Sequence, residues 1–411
     1  MKKHTVLRAV PSLMLAGTLF ISNATTNEAT IAEASVPHEK DLPQRTLELD
    51  KLPESLSGKT VILMSNDSHG ALDGFAYMPA LEKVFTDKGA QVVSVDCGDF
   101  SMNKTSTGDY VKNSKGTSAL NIMDATGYDV IAPGNHEFDF DEKTPYGADF
   151  GGDLLARYAD RNFTTVCANA VYPSGDGTKS FFQDNCVYSN TGINIGFFGL
   201  DTGESTRGDT DGLEILTGDK LYQCAQNQVN DLRNNDGAEI VVCLAHLGVD
   251  NERKDAGDRS TDVYAHTEGI DIILDANSHT VMTSMPLKYS DADLNKDGKI
   301  DDKDKDVEGP DMPIMSTGAM FENIGVVILD KDGNGNVSIE DNFLINKKEF
   351  SKLTTDPEIT SLIQAEKDRD QALKDGNKKD TSNNDNDKNG HGKKDKDKDK
   401  YKHDHNKHHH H

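Results

Sequence analysis

Apolar residues recur along this chain in short β-rich runs: TVILMS at 60–65, QVVSVD at 91–96, YDVIAP at 128–133, FTTVCA at 163–168, INIGFFGL at 193–200, EIVVCLAH at 239–246 and IDIILDA at 270–276. Between several of them apolar positions return every three or four residues, from Met78 to Phe85 and from Leu221 to Leu232, which predicts amphipathic helices. Strands alternating with helices predict an α/β fold, with helices covering a largely parallel sheet. The stretch FFQDNCVYSNTGINIGFFGL reads instead as a hairpin turning at Asn190-Thr191-Gly192. After Met312, the runs MPIMSTG, IGVVILD and VSIEDNFLI have no helix between them and predict an antiparallel part of the sheet. A helix is expected from Pro357 to Lys374.

The two ends differ from this body. Lys2, Lys3 and Arg8 precede an apolar run from Ala9 to Ile21, followed by Ser22-Asn23-Ala24 and Ala32-Glu33-Ala34. That is the layout of a secretory signal peptide over 1–34, so a secreted or periplasmic protein is expected. The apolar run is too short for a spanning helix, and no later stretch reads as a stable membrane anchor. Residues 35–57 are polar and read as a linker. Residues 376–411 form a Lys/Asp/His-rich, low-complexity tail that is expected to be disordered; its last histidines fit either a native metal-collecting end or a tag.

The net charge of −26 over 411 residues argues against a nucleic-acid polymer as partner and is compatible with bound cations. Five cysteines leave at least one thiol unpaired. Cys97, Cys167 and Cys243 lie in apolar runs and read as buried small hydrophobes, which leaves Cys186 and Cys224 as the pair a disulfide could join.

Chemistry-bearing residues gather where the runs stop. Asp67 and His69 follow the first, Asp99 the second, Asn135, His136 and Asp139 the third; His246 ends one run and His279 follows the last. Strand ends in α/β sheets share one rim, and ligands bind there. Between Lys59 and Asn346 the histidines are His69, His136, His246, His266 and His279, and only His266 falls away from a strand end.

Asp-x-His, Gly-Asp-Phe, Gly-Asn-His-Glu-Phe-Asp, Ala-His-Leu-Gly and Ser-His-Thr, in this order, resemble the calcineurin-like metallophosphoesterases. NDSHG and GNHEFD look like the branch containing 5′-nucleotidases and 2′,3′-cyclic-nucleotide phosphodiesterases. The resemblance covers roughly residues 58–346, within a catalytic domain expected over 58–350. It implies a single catalytic domain, a layered α/β/β/α sandwich with mixed sheets, and two divalent ions (Mn, Zn, Fe or Mg) that activate water against a phosphate ester. By the family pattern Asp99 bridges the ions, Asp67, His69 and His279 complete one site, and Asn135, His246 and position 277 complete the other. His136 would act on the departing oxygen with Asp139 as its partner acid, while Glu137 is expected to point away and support the loop.

Two departures stand out. Asn277 occupies a position where the family usually has histidine, and an amide oxygen favours Mn²⁺, Mg²⁺ or Ca²⁺ over Zn²⁺. After Asn346 only one helix and a charged tail remain, so the nucleotide-binding C-terminal domain of that branch is expected to be lacking, and base specificity is not carried over. The expected substrate is a phosphomonoester or small nucleotide. The alternative is a metal-binding extracellular protein whose phosphatase site has decayed.

DLNKDGKIDDKD, inside an insertion at 290–308, matches a calcium-loop spacing with oxygens at Asp293, Asn295, Asp297, Lys299 (main chain) and Asp304, and glycine at Gly298. A Ca²⁺-ordered insertion is the reading preferred there. DKDGNGNVSIED, from Asp330, has the same spacing but lies between two β-like runs, where a hairpin turn is more economical.

Overall fold

The run Thr60–Ser65 is buried along its whole length, as only a strand covered on both faces can be. This is a computed structural model that describes residues 44–101, 114–138, 155–172, 179–203, 213–249, 258–283, 285–286 and 311–386. Six strands form a first sheet. β1 (Thr60–Ser65), β2 (Gln91–Asp96), β3 (Val130–Ile131) and β4 (Thr164–Thr165) run parallel. β15 (Asn323–Lys331) pairs antiparallel with β1, and β16 (Val337–Asn346) antiparallel with β15. A second sheet has β7 (Ile195–Asp201), β9 (Ile240–His246), β10 (Ile272–Asp275) and β14 (Ile314–Thr317) in parallel, edged by antiparallel β6 (Asn185–Tyr188) and β11 (Val281–Met282). Two short pairs, β5 (Ala170–Val171) with β8 (Glu214–Ile215) and β12 (Met285–Pro286) with β13 (Asp311–Met312), complete the strands.

Alternation along each strand sorts the core into layers. Ile62, Met64, Val93 and Val95 of the first sheet meet Phe197, Val242, Leu244 and Leu274 of the second between the sheets. Val61 and Leu63 face outward against Leu81 and Phe85 of α1 (Met78–Asp87) and Leu120 and Met123 of α2 (Thr117–Thr126). Val241, Cys243 and Ile273 face the other way, onto Leu221, Val229 and Leu232 of α3 (Asp219–Asn234) and Val263 of α4 (Ser260–His266). The result is the expected α/β/β/α sandwich with mixed sheets.

The hairpin at Asn190-Thr191-Gly192 joins β6 to β7. Asp332, at the β15–β16 turn, accepts from the backbone N–H of Asn334 and Asn336 (both 2.8 Å), so this stretch is a hairpin turn. The run MPIMSTG departs from expectation: it does not join β15 and β16 but supplies β14 to the other sheet, parallel to β10.

From Arg45 the segment read as a linker is fastened along β16. Leu47 N–H donates to Leu344 O (2.9 Å), Leu344 N–H to Arg45 O (2.8 Å), and Leu52 and Leu56 are buried. At the other end, α5 (Lys347–Phe350) leads to α6 (Pro357–Asn386), whose helix continues past Lys374 into the stretch expected to be disordered. Ile363 is buried against the α1–α2 layer, Asn121 Nδ2 donates to Glu366 Oε1 (2.9 Å) and Arg369 Nη2 to Ser118 Oγ (3.0 Å).

All five thiols are free and buried. Cys186 faces the layer between the sheets while Cys224, on the buried face of α3, packs in the outer layer, so the second sheet separates the two candidates for a disulfide. Among the described residues no helix is long and apolar enough to cross a membrane. The leader at 1–34, the 290–308 insertion and the tail beyond Asn386 lie outside the described residues.

Candidate metal centre

β1, β2, β3, β9 and β10 all stop at one rim. The loops that follow β1, β2 and β10 hold their candidate ligands in a backbone conformation that side chains seldom adopt. Asp67 (φ 47), His69 (φ 44), Asp99 (φ 60), Asn277 (φ 76) and His279 (φ 55) are all left-handed. Such strain persists only where surrounding structure enforces it, and it clusters at functional sites. Here the loops brace one another: Asp67 N–H donates to Gly98 O, His69 N–H to Asp99 O (both 2.9 Å), and Met320 N–H to Asp67 O (2.8 Å). Glycine is required where they touch. A Cβ on Gly98 would come 2.3 Å from Gly134 N, and one on Gly134 would come 2.5 Å from Asp99 Oδ1.

Each carboxylate uses one oxygen as scaffold and turns the other inward. Asp67 Oδ2 accepts from Asn66 Nδ2 (2.7 Å) and Asn277 N–H (2.9 Å), while its buried Oδ1 has no hydrogen-bond partner. That oxygen lies 3.7 Å from His69 Nε2, 3.5 Å from His279 Nε2 and 4.0 Å from His246 Nε2. Asp99 Oδ1 accepts from His136 N–H (3.0 Å), and its Oδ2 lies 3.3 Å from His246 Nε2 and 3.8 Å from His136 Nε2. Two triads of ligand atoms result, Asp67–His69–His279 and Asp67–Asp99–His246. Asn135 Oδ1 and His246 Nε2, like Asp67 Oδ1, are buried polar atoms without a hydrogen bond. A buried polar atom left unpaired is costly unless something else satisfies it. This donor set of carboxylate and amide oxygens with imidazole nitrogens suits divalent cations.

Glu137 explains how the loops stay in register. It is buried and gathers three backbone donors: Gly134 N–H (2.6 Å), Asp99 N–H (2.8 Å) and Ser101 N–H (2.9 Å). It turns away from the ligand cluster and supports the loop, as expected. His136 retains 18 % side-chain exposure and His279 35 %, against 0 % for His69 and His246, so the centre opens on the side of His136 and His279. Asn277 contributes its main chain to Asp67, and its side-chain Nδ2 faces Leu247 O at 3.5 Å. His266 lies elsewhere, exposed on α4 and stacked on Tyr222. Asp139 lies outside the described residues.

Sequence reasoning missed a layer of acids beneath the rim. Asp96 and Asp275, the last residues of β2 and β10, are fully buried, and Asp201, the last of β7, is paired in register with His246. An acid closing an otherwise apolar buried run was the available signal.

Burial, the largest cause in each case, pushes Asp96 up to about 8, and Asp275 and Glu137 up to about 7. Burial opposes charge on His246 too, but Asp99, Asp67 and Asp201 outweigh it and raise the imidazole well above its ordinary value. Burial likewise opposes charge on Asp99, yet His246, His136 and His69 hold it below the ordinary carboxylate range. An acid raised in the folded state takes up protons on folding. Its stabilising effect is present below its unfolded value, about 4, and is lost as pH climbs toward the folded one. His246 adds in the same direction, and the contribution of Asp99, whose value is lowered, is fully present above about pH 4 and so does not change across the neutral range. The melting temperature of the chelator-treated protein is therefore expected to fall between pH 5 and pH 8. A rise across that interval would contradict these assignments.

The family model for calcineurin-like phosphoesterase matches residues 60–281. The chain is 28% identical over 271 residues to the 2′,3′-cyclic-nucleotide 2′-phosphodiesterase/3′-nucleotidase of Haemophilus influenzae, covering 62% of this chain and 38% of that protein. It is 25% identical over 253 residues to the trifunctional nucleotide phosphoesterase YfkN of Bacillus subtilis, covering 55% of this chain and 16% of that one. The chain thus spans well under half the length of these curated relatives. Among solved structures, the 5′-nucleotidase precursor of Thermus thermophilus shares the fold with a TM-score of 0.56 at 19% identity, over 76% of this chain and 59% of that one.

Proposed function

Because the chain belongs to the calcineurin-like phosphoesterase family, a family of metal-dependent hydrolases, we propose that it is an exported two-metal phosphoesterase acting on phosphomonoesters or small nucleotides. The observation that carries this reading is the pair of ligand triads sharing Asp67, with buried polar atoms aimed inward and no hydrogen bond to satisfy them. Export rests on the leader at 1–34.

Bound there, two divalent ions would neutralise phosphoryl oxygens and acidify a water for in-line attack. Asp67, His69 and His279 would hold one, and Asp99, Asn135 and His246 the other, with Asp67 within reach of both. Asn277, its amide nitrogen turned to Leu247, would reach the second ion through its oxygen. The strained loops fix these atoms before substrate arrives, so little reorganisation remains for the reacting complex. His136 stands at the open side beside Asn135. It holds a proton at Nε2 and delivers it to the departing oxygen, with Asp139 assigned by the resemblance to orient the ring. Substrate enters past His136 and His279.

The test is to strip the protein with chelator and restore Mn²⁺, Zn²⁺, Mg²⁺ or Ca²⁺ singly. An aryl phosphate, nucleoside monophosphates, a cyclic nucleotide and a nucleotide sugar are then assayed. Turnover is expected to return, and best with an oxygen-preferring ion such as Mn²⁺. Asn277→His is expected to shift that preference toward Zn²⁺. Binding of ions without turnover of any substrate would sink the reading and leave a decayed site in its place.

A further inference from the structure

We propose that Asp96 is a positioning residue for His246, acting through the Cys97–Gly98 peptide unit. The C=O of Cys97 and the N–H of Gly98 belong to one planar trans peptide and point in opposite directions. Gly98 N–H donates to Asp96 Oδ1 (2.9 Å). The carbonyl of Cys97 accepts from His246 Nδ1 (2.7 Å). A carbonyl can only accept, so His246 carries a proton on Nδ1, and Nε2, 3.3 Å from Asp99 Oδ2, is the nitrogen left for an ion to claim. Rotating the peptide would break both bonds at once.

A peptide that precedes glycine is the easiest in a chain to turn over, because glycine accepts either sign of φ. Gly98 sits at φ 94, with no side chain to resist a flip. What holds the plane is Asp96, and Asp96 is itself held. It is fully buried, its Oδ2 accepts from Ser65 Oγ (2.5 Å), and Ser65 Oγ shares a further hydrogen bond with Tyr128 Oη (2.6 Å). Metal-binding histidines are commonly oriented by a carboxylate or a carbonyl bonded directly to the ring. Here an acid side chain acts at one peptide's remove, setting proton position and aim together.

This proposal rests on the metal-centre reading, and its test separates the two. The tautomer of His246 is read by nitrogen NMR on histidine-labelled, metal-free protein. Mn²⁺ and Zn²⁺ affinities are read by titration calorimetry. At a pH high enough for the raised His246 ring to be neutral, wild type is expected to show a single Nδ1–H tautomer. D96A is expected to show mixed tautomers and to bind the second ion about 10–100-fold more weakly, leaving the ion at Asp67, His69 and His279 in place. D96N can still accept from Gly98 N–H and reach Ser65, so it is expected to stay within about threefold of wild type. If D96A does not fold, S65A frees Oδ2 alone and is expected to weaken the second ion by about 3–10-fold with partial tautomer mixing. A single Nδ1–H tautomer with both affinities intact in D96A, or in S65A where that variant stands in, overturns the proposal. So does D96N behaving like D96A. If wild type binds no ion at all, the two-metal reading fails, while the metal-free tautomer measurement still decides the role of Asp96.

Discussion

Asp67→Asn is expected to lower kcat/KM by about a thousandfold and to weaken both ions, with the fold retained. Asp67 is the one side chain common to both ligand triads. Its Oδ2 is already engaged by Asn66 Nδ2 and Asn277 N–H. An amide in its place can keep those bonds with its oxygen, and its NH₂ group then faces the cation. The backbone is not disturbed, because asparagine tolerates the left-handed conformation at φ 47 better than most residues. The loss therefore reports ligand chemistry rather than strain, which alanine at this position could not guarantee. Calorimetric titration with Mn²⁺, steady-state assay on an aryl phosphate and a thermal melt check it together. Wild-type affinity and turnover in D67N would remove Asp67 from the centre.

His136→Ala should divide binding from catalysis. Its backbone N–H, and not its ring, bonds Asp99 Oδ1, so that contact survives the substitution. Both ions are expected to bind as before, while kcat falls by about 10²–10⁴-fold on a substrate with a poor leaving group. An aryl phosphate, whose leaving oxygen needs little protonation, should suffer much less. Equal losses on both substrates would reassign His136 from proton donor to electrostatic support, and no loss on either would exclude it from the chemistry.

Seven residues of the centre could be read from the chain because each is a polar ligand type placed just where an apolar run stops. Asp67, His69, Asp99, Asn135, His136, His246 and His279 all fall on the rim that the strand ends predict. Strand runs in the α/β body were legible for the same reason, since burial on both faces leaves continuous apolar stretches. What was not legible is non-local. Nothing in MPIMSTG says that it pairs with β10 rather than with IGVVILD a few residues later. That choice is made by Gly318, Met320 and Phe321, at φ 87, 53 and 55, which carry the chain from one sheet to the other. The register of Leu47 with Leu344 is hidden likewise, because a polar segment can be held by main-chain bonds that leave no side-chain pattern. Asp96 and Asp275 escaped because an acid at a strand end reads as solvated until its burial is known.

The crossing at Gly318–Phe321 also bears on how the molecule comes apart. Asp67, Asp99 and Asn135 come from the first sheet, and His246, Asn277 and His279 from the second, so the ligands straddle the seam of the sandwich. An ion seated among them is a cross-link between two halves that otherwise meet mainly through apolar side chains. Unfolding that begins by parting the sheets must first release the metal, and binding to the folded chain alone raises the barrier to that step. An ion that activates substrate there would also be the rivet that keeps the two sheets closed.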